Sequence, residues 1–406
     1  MTHLAESSGD QNGPGRGVYS EARSWFEEHW DPHLTLREWW QRLADSGWGF
    51  PTWPVGTYGR GLSPDAARAV ADARRDARVA PPPAGIAQNL AGPTIVAHGT
   101  AEQQARFLPG IVTGEIWCQL FSEPGAGSDV AALSTRAVRD GDEWRIDGQK
   151  VWTTLAHVSS FGLLIARTDP DVTKHRGMTA FLVDMRAAGV EVRPLYQITG
   201  EAEFNECFFN GARVGDDQRL GDVGDGWRVA LTTLMNERVS IGGTVPSRGS
   251  GLIGEAMSIW RERWSARTDR HAQAMRSELL AAWVRNEVAR LTNWRASDLR
   301  RAGTPGPEGS AAKLVFAEEN QRTSALCVDL LGADGMLYGS NYPLVRPTES
   351  AFNSADPRKA FLRMRANSIE GGTSEVMRNI IGERVLGLAG EPRVDKDLAW
   401  KDVPRS

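Results

Sequence analysis

Two glutamates stand beside residues that suit proton transfer. Glu370 precedes a Gly-Gly pair and a Thr-Ser pair, residues 371–374, in the stretch SIEGGTSEVMRNIIGER. Glu237 precedes Arg238 in the largely apolar stretch TLMNERVSIGG. A glutamate ordinarily has a pKa of about 4.3, and desolvation raises that pKa toward neutrality, where the carboxylate works as a general base. A Glu-Arg pair is also typical of a solvated helix surface, so this pattern alone leaves both interpretations open.

A glycine-rich loop lies in the stretch WCQLFSEPGAGSD, residues 117–129. Three small residues, 125–127, let main-chain N–H groups approach a ligand closely, and Ser122 and Ser128 add hydroxyls. Such a loop suits phosphate or another oxygen-rich anion. The spacing matches neither the Walker loop nor the G-x-G-x-x-G dinucleotide motif, and a loop of this kind is often only a tight turn.

An aromatic residue followed by two hydroxyls comes soon after, in the stretch DGQKVWTT. Trp152 can lie beside a flat ring, with Thr153 and Thr154 directed at the ring's heteroatoms. In a chain with 15 tryptophans, a place in the core is the commoner role for any one of them.

Composition indicates an ordinary globular protein. Apolar residues make up 41% and charged residues 24% of the 406 residues. The net charge of −4 argues against a nucleic-acid partner. No apolar stretch approaches the roughly 20 residues that span a bilayer. Residues 1–17 have neither a basic start nor an apolar run, and we expect a disordered lead-in there.

Cysteine and histidine usage points away from disulfides and metals. The three cysteines, Cys118, Cys207 and Cys327, are far apart, which is typical of buried thiols in a reducing compartment such as the cytoplasm. The seven histidines never fall at metal-ligand spacing.

The chain divides into three zones, and their order indicates an α+β fold. Residues 18–115 show the three-to-four periodicity of helices, for example in LTLREWWQRLADSGW and PDAARAVADARRDARV. Residues 116–222 show period-two alternation, and residues 223–406 return to helical periodicity.

The middle zone predicts an antiparallel barrel or sandwich of short strands. EWRIDGQKVWTT predicts a hairpin that turns at Asp147 and Gly148, and AEFNECFFNGARV predicts a turn at Asn210 and Gly211. FGLLIARTD, MTAFLVDM and VEVRPL are further strand candidates.

Two helices are predicted strongly in the last zone. One, in SELLAAWVRNEVARL, carries an apolar face. That face consists of Leu280, Trp283, Val284, Val288 and Leu291. The other begins at a Ser310 cap and ends at Gly332.

Four of these motifs, in their order and spacing, resemble the acyl-CoA dehydrogenase family: SEPGAGSD, DGQKVWTT, FGLLIARTDP and EGGTSEVMRNIIGERVLG. The resemblance covers about residues 39–387. It implies an N-terminal helical domain, a middle antiparallel β-barrel and a C-terminal four-helix bundle that hold FAD. It also implies oxidation of an acyl-CoA thioester to a trans-2-enoyl-CoA, with hydride transfer to flavin N5. An electron-transfer flavoprotein is the implied acceptor, and a homodimer or homotetramer the implied assembly.

The resemblance also assigns residues to the cofactor. The implied FAD contacts are Gln119, Phe121, Ser122, Gly127, Ser128, Trp152, Thr153, Thr154, Thr373, Ser374 and Glu375. Ser128 also lies near the CoA pyrophosphate in the family.

The chain departs from the family where a neighbouring subunit's FAD is contacted. The family's Gln-x-x-Gly-Gly-x-Gly segment reads DLLGADG here, with Asp329 in place of the glutamine and Gly332 retained. The family's Arg-x-Thr-Phe-Gly segment is replaced by RERWSARTDRHAQAM, without Phe-Gly. These departures predict weaker flavin retention or a different subunit arrangement, with a hetero-oligomer as one form.

The family offers two positions for the catalytic base. Medium- and short-chain members place it directly before Gly-Thr-Ser, a slot that Gly371 fills here, so Glu370 falls one residue early. Isovaleryl and long-chain members place it on a helix, just before an arginine, which corresponds to Glu237. By this resemblance Glu237 is the base and Glu370 the alternative. The Gly371 N–H and the FAD ribityl hydroxyl form the oxyanion hole.

The same resemblance assigns Arg238 and Gly372 to substrate binding. Two other functions stay open on the same fold: a flavin oxidase or monooxygenase, and a non-catalytic subunit of a heteromeric dehydrogenase. The acyl group is not readable from the sequence, since a pocket depends on side chains from several elements.

Overall fold

Helices, strands and again helices follow one another along the chain, which confirms the predicted α+β organisation. The computed structural model describes residues 14–242, 245–301, 308–337, 356–392 and 395–404. The first helix begins at Pro14, so residues 14–17 are helical where a disordered lead-in was predicted, and residues 1–13 lie outside the described part. Within the described residues, no helix combines the length and apolar character needed to cross a membrane.

The N-terminal helices pack around large aromatic side chains. They are α1 (Pro14–His29), α2 (Leu36–Ser46), α3 (Pro64–Asp76), α4 (Gly92–His98) and α5 (Ala101–Val112). Thr35 begins α2 with a capping box to Glu38, which satisfies free N–H groups at the helix start. Phe26 and Trp39 are fully buried in the core shared by α1, α2 and α3.

The middle domain is one sheet of eight strands. The strands are β1 (Trp117–Leu120), β2 (Arg136–Asp140), β3 (Glu143–Thr154), β4 (Phe161–Arg167), β5 (Met178–Asp184), β6 (Val190–Leu195), β7 (Phe204–Gly215) and β8 (Arg219–Leu220). Their order is β6-β7-β3-β2-β4-β5-β8, with β1 beside β4. The predicted antiparallel pairing is wrong for two pairs, because β1 and β2 both run parallel to β4.

The two predicted turns of this sheet are wrong, because both lie within strands. β3 runs through Gly148 and β7 runs through Gly211 without reversing. Gly211, with φ of 65°, is the extra residue of a bulge opposite Asp147, whose Oδ1 accepts from the Gly211 N–H at 2.9 Å. The β2–β3 reversal occurs instead at Gly141, with φ of 67°. Asp-Gly and Asn-Gly pairs supply the positive φ that a bulge and a turn both require.

Apolar residues cover both faces of the sheet. One cluster lies between strands of the folded sheet and includes Trp144, Leu164 and Phe181. The other joins the sheet to the N-terminal helices and includes Phe107 and Leu182.

The C-terminal helices form the second helical layer. They are α6 (Gly226–Gly242), α7 (Leu252–Arg263), α8 (Arg270–Arg301), α9 (Glu308–Leu331), α10 (Pro357–Arg363) and α11 (Ser374–Ile380). α9 already includes Ser310, so the predicted cap there is wrong, whereas its predicted end at Gly332 is confirmed. The predicted apolar face of α8 is largely exposed, with Val284 at 58% exposure.

Candidate active site

Helix α6 carries Glu237 and is fixed to the sheet at its first turn. A Cβ on Gly226 would lie 2.6 Å from the Thr179 main-chain N of β5, so the close approach of helix to strand requires glycine. Val229 and Ala230 of α6 join the core between the sheet and the N-terminal helices. Glu237 therefore stands near the far end of a helix whose first turn packs closely against the sheet.

Glu237 is partly buried and faces strand β1. Gln119 Nε2 donates to Glu237 Oε2 at 3.4 Å, a long hydrogen bond. The predicted apolar surroundings are only partly present, because Leu231 and Met235 of α6 are exposed. The Arg238 side chain lies outside the described residues.

Glu370 is held by three strong donors. The buried Arg363 donates from Nη1 to Oε1 at 3.2 Å and from Nη2 to Oε2 at 2.8 Å. Asn367 Nδ2 donates to Oε1 at 2.6 Å. A two-pronged bond from a buried guanidinium fixes both oxygens of the carboxylate, so Glu370 is occupied in an ion pair.

A tight turn between Glu370 and α11 is built from two glycines with positive φ. Gly371 has φ of 63° and Gly372 has φ of 95°. A Cβ on Gly372 would lie 2.7 Å from Met377 Cε. The Met377 methyl group lies at the end of a flexible side chain and can move aside, so the positive φ is what favours glycine at residue 372.

A buried lysine that sequence reasoning missed fixes this turn. Lys313 of α9 is 4% exposed, and its Nζ donates to the Asn367 carbonyl at 2.9 Å and to the Gly372 carbonyl. Burial lowers the pKa of Lys313, and the negative charges of Glu370, Glu237 and Glu375 partly offset that lowering. The only signal in the sequence is a lysine inside the apolar helical run AAKLVFA.

Lys313 thus lies within electrostatic reach of both candidate bases. Its ammonium group contacts the 371–372 turn directly, and the charges of Glu237 and Glu370 act on it.

A second buried lysine, Lys150, holds the glycine-rich loop through hydrogen bonds to two of its residues. Lys150 Nζ donates to the Phe121 carbonyl at 2.9 Å and to Glu123 Oε1 at 2.8 Å. Glu123 also accepts from the main-chain N–H groups of Ser134 at 2.6 Å and Thr135 at 2.9 Å. Burial lowers the pKa of Lys150, while the Lys150 ammonium keeps the pKa of Glu123 low against burial.

This brace leaves the tip of the loop open to ligands. Gly127 and Ser128 are exposed, and Ser122 is half-buried with its carbonyl accepting from Val151 N at 2.9 Å. The Phe121 side chain lies in the core, so only its main-chain N–H remains for a ligand.

Trp152 stands out from the sheet on a strained backbone. Its φ is 59°, and its side chain is 58% exposed, edge-on to Phe204. The pairing of β3 with β7 is interrupted between Lys150 and Thr153. A bulky residue rarely adopts positive φ, and such strain concentrates at ligand sites.

Two buried hydroxyls near these residues lack a full hydrogen bond. Ser374 Oγ has no partner among the described residues, and Thr153 Oγ1 has only the Cys207 thiol beside it. Thr154 is half-buried. Thr373 caps α11 through Val376 N, and Glu375 is exposed in the first turn. The exposed indole of Trp152 on its strained backbone suits a flat aromatic cofactor such as a flavin.

Asp329 and Gly332 lie apart from this cluster. Asp329, in the last turn of α9, lies about 24 Å along the helix from Lys313 at 1.5 Å per residue, and Gly332 directly follows the helix. Among the described residues no group of three histidine, cysteine or acidic side chains forms a metal site.

Comparisons with known proteins identify the family of the chain. The chain matches the acyl-CoA dehydrogenase N-terminal domain at residues 17–115, the middle domain at 118–212 and the C-terminal domain at 224–386. It is 39% identical over 394 residues to acyl-CoA dehydrogenase IpdE1 of Mycobacterium tuberculosis, covering 94% of this chain and 92% of that protein.

Solved structures are similar as well. The Tcur3481-Tcur3483 steroid ACAD has a TM-score of 0.71 and 27% identity, covering 94% of this chain and 100% of that one. The ChsE4-ChsE5 complex from Mycobacterium tuberculosis has a TM-score of 0.69 and 28% identity, covering 95% of this chain and 99% of that one.

Proposed function

The chain belongs to the acyl-CoA dehydrogenase family and is an oxidoreductase of that type, and from this premise we propose that it oxidises a steroid-type acyl-CoA with Glu237 as the base. The substrate class rests on the similarity to a steroid ACAD over 94% of the chain. In the reaction the α-carbon loses a proton, the β-carbon loses a hydride, and a carbon–carbon double bond forms between them. FAD, when bound, accepts the hydride.

The contrast between the two glutamates carries the assignment of the base. Both Glu370 oxygens accept hydrogen bonds from the buried Arg363 guanidinium, so proton uptake by Glu370 disrupts that ion pair. Glu237 stands directly before Arg238 on α6, the arrangement of the isovaleryl and long-chain members of the family, and it accepts a long hydrogen bond from Gln119 at 3.4 Å. The pairing of Glu370 and the position of Glu237 together support Glu237 as the base.

We assign the stabilisation of the negative charge that forms on the substrate to the 371–372 turn. Removal of the α-proton places negative charge on the thioester oxygen, and a fixed N–H donor stabilises that charge. We assign this donor to Gly371, with Gly372 and Arg238 as substrate contacts. Lys313 holds the turn through the Gly372 carbonyl, so the donor is positioned before the substrate arrives.

The residues around the glycine-rich loop are the proposed cofactor contacts. Ser122, Gly127 and Ser128 offer main-chain and hydroxyl donors to phosphate oxygens. Trp152, with Thr153 and Thr154, packs on the flavin ring. The remaining proposed contacts are Gln119, Phe121, Thr373, Ser374 and Glu375.

A second chain completes the assembly in this proposal. The exposed α8 face, with Leu280 and Val284 more than half exposed, suits burial against another subunit. The Asp329 carboxylate cannot donate a hydrogen bond to a phosphate oxygen, whereas the family's glutamine amide can. This difference favours an unlike subunit over a symmetric pair at this end of α9. An electron-transfer flavoprotein is the proposed electron acceptor, and three buried free thiols suit the cytoplasm.

The test is an anaerobic titration of the purified protein with a steroid acyl-CoA and with linear acyl-CoAs of several lengths. We expect flavin absorbance to bleach faster with the steroid thioester than with the linear ones. Faster bleaching by a linear thioester overturns the substrate class. No bleaching by any thioester, with the protein alone and with a copurified second subunit, overturns the proposed function of this protein.

A further inference from the structure

The last described residues, 395–404, lie against the middle domain. Trp400 N donates to the Val172 carbonyl at 2.8 Å, and Lys401 N donates to the Pro170 carbonyl at 3.0 Å. Both acceptors belong to the loop between β4 and β5. This segment, which we call the C-terminal tail, follows the end of the family's C-terminal match at residue 386.

One lysine joins the tail to the glycine-rich loop. Lys174 Nζ lies 2.6 Å from Asp129 Oδ2 and 2.6 Å from Asp395 Oδ2. Asp129 ends the glycine-rich loop and directly follows Ser128. The Lys174 side chain is mostly buried, and the two carboxylates raise its pKa against the lowering by burial. The Lys174–Asp395 pair is largely shielded from solvent, whereas the Asp129 side chain is more than half exposed, so the Lys174–Asp395 contact is the stronger of the two.

A second connection runs through Arg167. Its Nη2 donates to the Ala131 carbonyl at 2.6 Å, and its Nη1 donates to the Lys174 carbonyl at 2.6 Å. The guanidinium carbon lies 4.7 Å from the centre of the Trp400 ring. Trp400 therefore covers the residue that fixes the turn after Asp129.

We propose that the C-terminal tail positions the glycine-rich loop for phosphate binding, with Lys174 and Trp400 as positioning residues. This inference rests on the proposed function and on the family resemblance, by which Ser128 lies near the CoA pyrophosphate. A released tail leaves the loop more mobile, so CoA binds more weakly. Glu237 and Gly371 stand on other elements, so the limiting rate of flavin reduction at saturating substrate stays close to that of wild type.

The test compares Trp400→Ala and Asp395→Asn with the matched control Asp397→Asn, an exposed carboxylate on the same tail. Hydrogen–deuterium exchange is measured on peptides within residues 121–133, and CoA binding by calorimetry. We expect faster exchange in the loop, and CoA binding weaker by about three- to tenfold in Trp400→Ala, as for one or two lost interactions of ordinary strength. Asp395→Asn changes both quantities in the same direction by less, and Asp397→Asn changes neither.

Unchanged loop exchange in Trp400→Ala and Asp395→Asn, with the tail itself exchanging faster, overturns the inference. Should Trp400→Ala fail to fold, Asp395→Asn decides alone. A fall in the limiting reduction rate equal to the fall in CoA affinity also contradicts the inference. If wild type binds no CoA, the proposed function fails. Hydrogen–deuterium exchange of the loop in the tail variants then still tests whether the tail positions the loop.

Discussion

Two buried lysines brace the two sides of the site, and they differ in what neutralises them. Lys150 donates to a loop carbonyl and pairs directly with Glu123 at 2.8 Å. Lys313 donates to the carbonyls of Asn367 and Gly372, and the negative charges of Glu370, Glu237 and Glu375 act on its ammonium group. Lys150, paired with its own carboxylate, is expected to contribute mainly to the stability of the fold. Lys313, close to the glutamates of the proposed site, is expected to affect both stability and catalysis.

The largest effect is expected from Lys150→Met, which strands the Glu123 charge inside the middle domain. We expect a loss of about 3–5 kcal/mol in the free energy of unfolding, the usual cost of breaking a buried pair. Urea denaturation measures it. The double variant Lys150→Met/Glu123→Gln should regain much of this loss, and a double variant as unstable as the single one contradicts the pairing.

Lys313→Met should act on catalysis more than on stability. A turn released by a fraction of an ångström misplaces the oxyanion donor, and we expect anaerobic flavin reduction at saturating acyl-CoA to slow by about 10- to 100-fold. Lys359→Met is the control, because Lys359 is equally buried but pairs with Glu201. Equal flavin reduction rates in Lys313→Met and Lys359→Met contradict a specific role of Lys313 in catalysis.

A pH dependence follows from the burial of Lys150. Burial lowers its pKa to about 8, whereas an unfolded lysine titrates near 10.4. Between these values the unfolded chain binds more protons than the folded chain, so this residue increases the free energy of unfolding as pH rises. We expect the stability of wild type relative to Lys150→Met/Glu123→Gln to grow by about 1–2 kcal/mol from pH 8 to pH 10. A constant difference across this range contradicts the depressed pKa.

The smallest effect on stability is expected at Trp152, above the Lys150 brace. Its exposed ring contributes little to the core, so Trp152→Ala should change the free energy of unfolding by no more than about 0.5 kcal/mol. FAD retention should fall by up to about tenfold, as for a lost aromatic stack. Val138→Ala serves as the control in measurements of flavin content, because Val138 is an exposed apolar residue of β2 that pairs with Arg145 of β3, well before Trp152 along that strand. Full flavin retention in Trp152→Ala refutes the stacking role.

The sequence predicted the parts of the fold that periodicity controls. Helical periodicity located α2 and α3, because burial of one helix face imposes a repeat. β4 and β5 were predicted as strands from short, nearly continuous apolar runs, and both strands are buried on both faces. The predicted turns at residues 147–148 and 210–211 were wrong, because a positive φ is needed in bulges as well as in hairpins. The choice between them depends on the partner strand, which local sequence does not contain.

The site was predicted unevenly for the same reason. The loop, Trp152 and the two glutamates were recognised from local motifs, and their proposed roles stay predictions. Lys313 was missed because its partners, the carbonyls of Asn367 and Gly372, are more than 50 residues away in sequence. The Arg363 pair that occupies Glu370 likewise becomes visible only when α10 packs beside the turn.

The most direct test of the account compares Glu237→Gln with Glu370→Gln in anaerobic stopped-flow reduction by a steroid acyl-CoA. If Glu237 is the base, Glu237→Gln binds the thioester but reduces its flavin at least about 100-fold more slowly, the lower range for loss of a general base. Glu370→Gln then stays within about tenfold of wild type, since it changes the Arg363 pair and not the base. Full activity in Glu237→Gln with an inactive, folded Glu370→Gln contradicts the central claim.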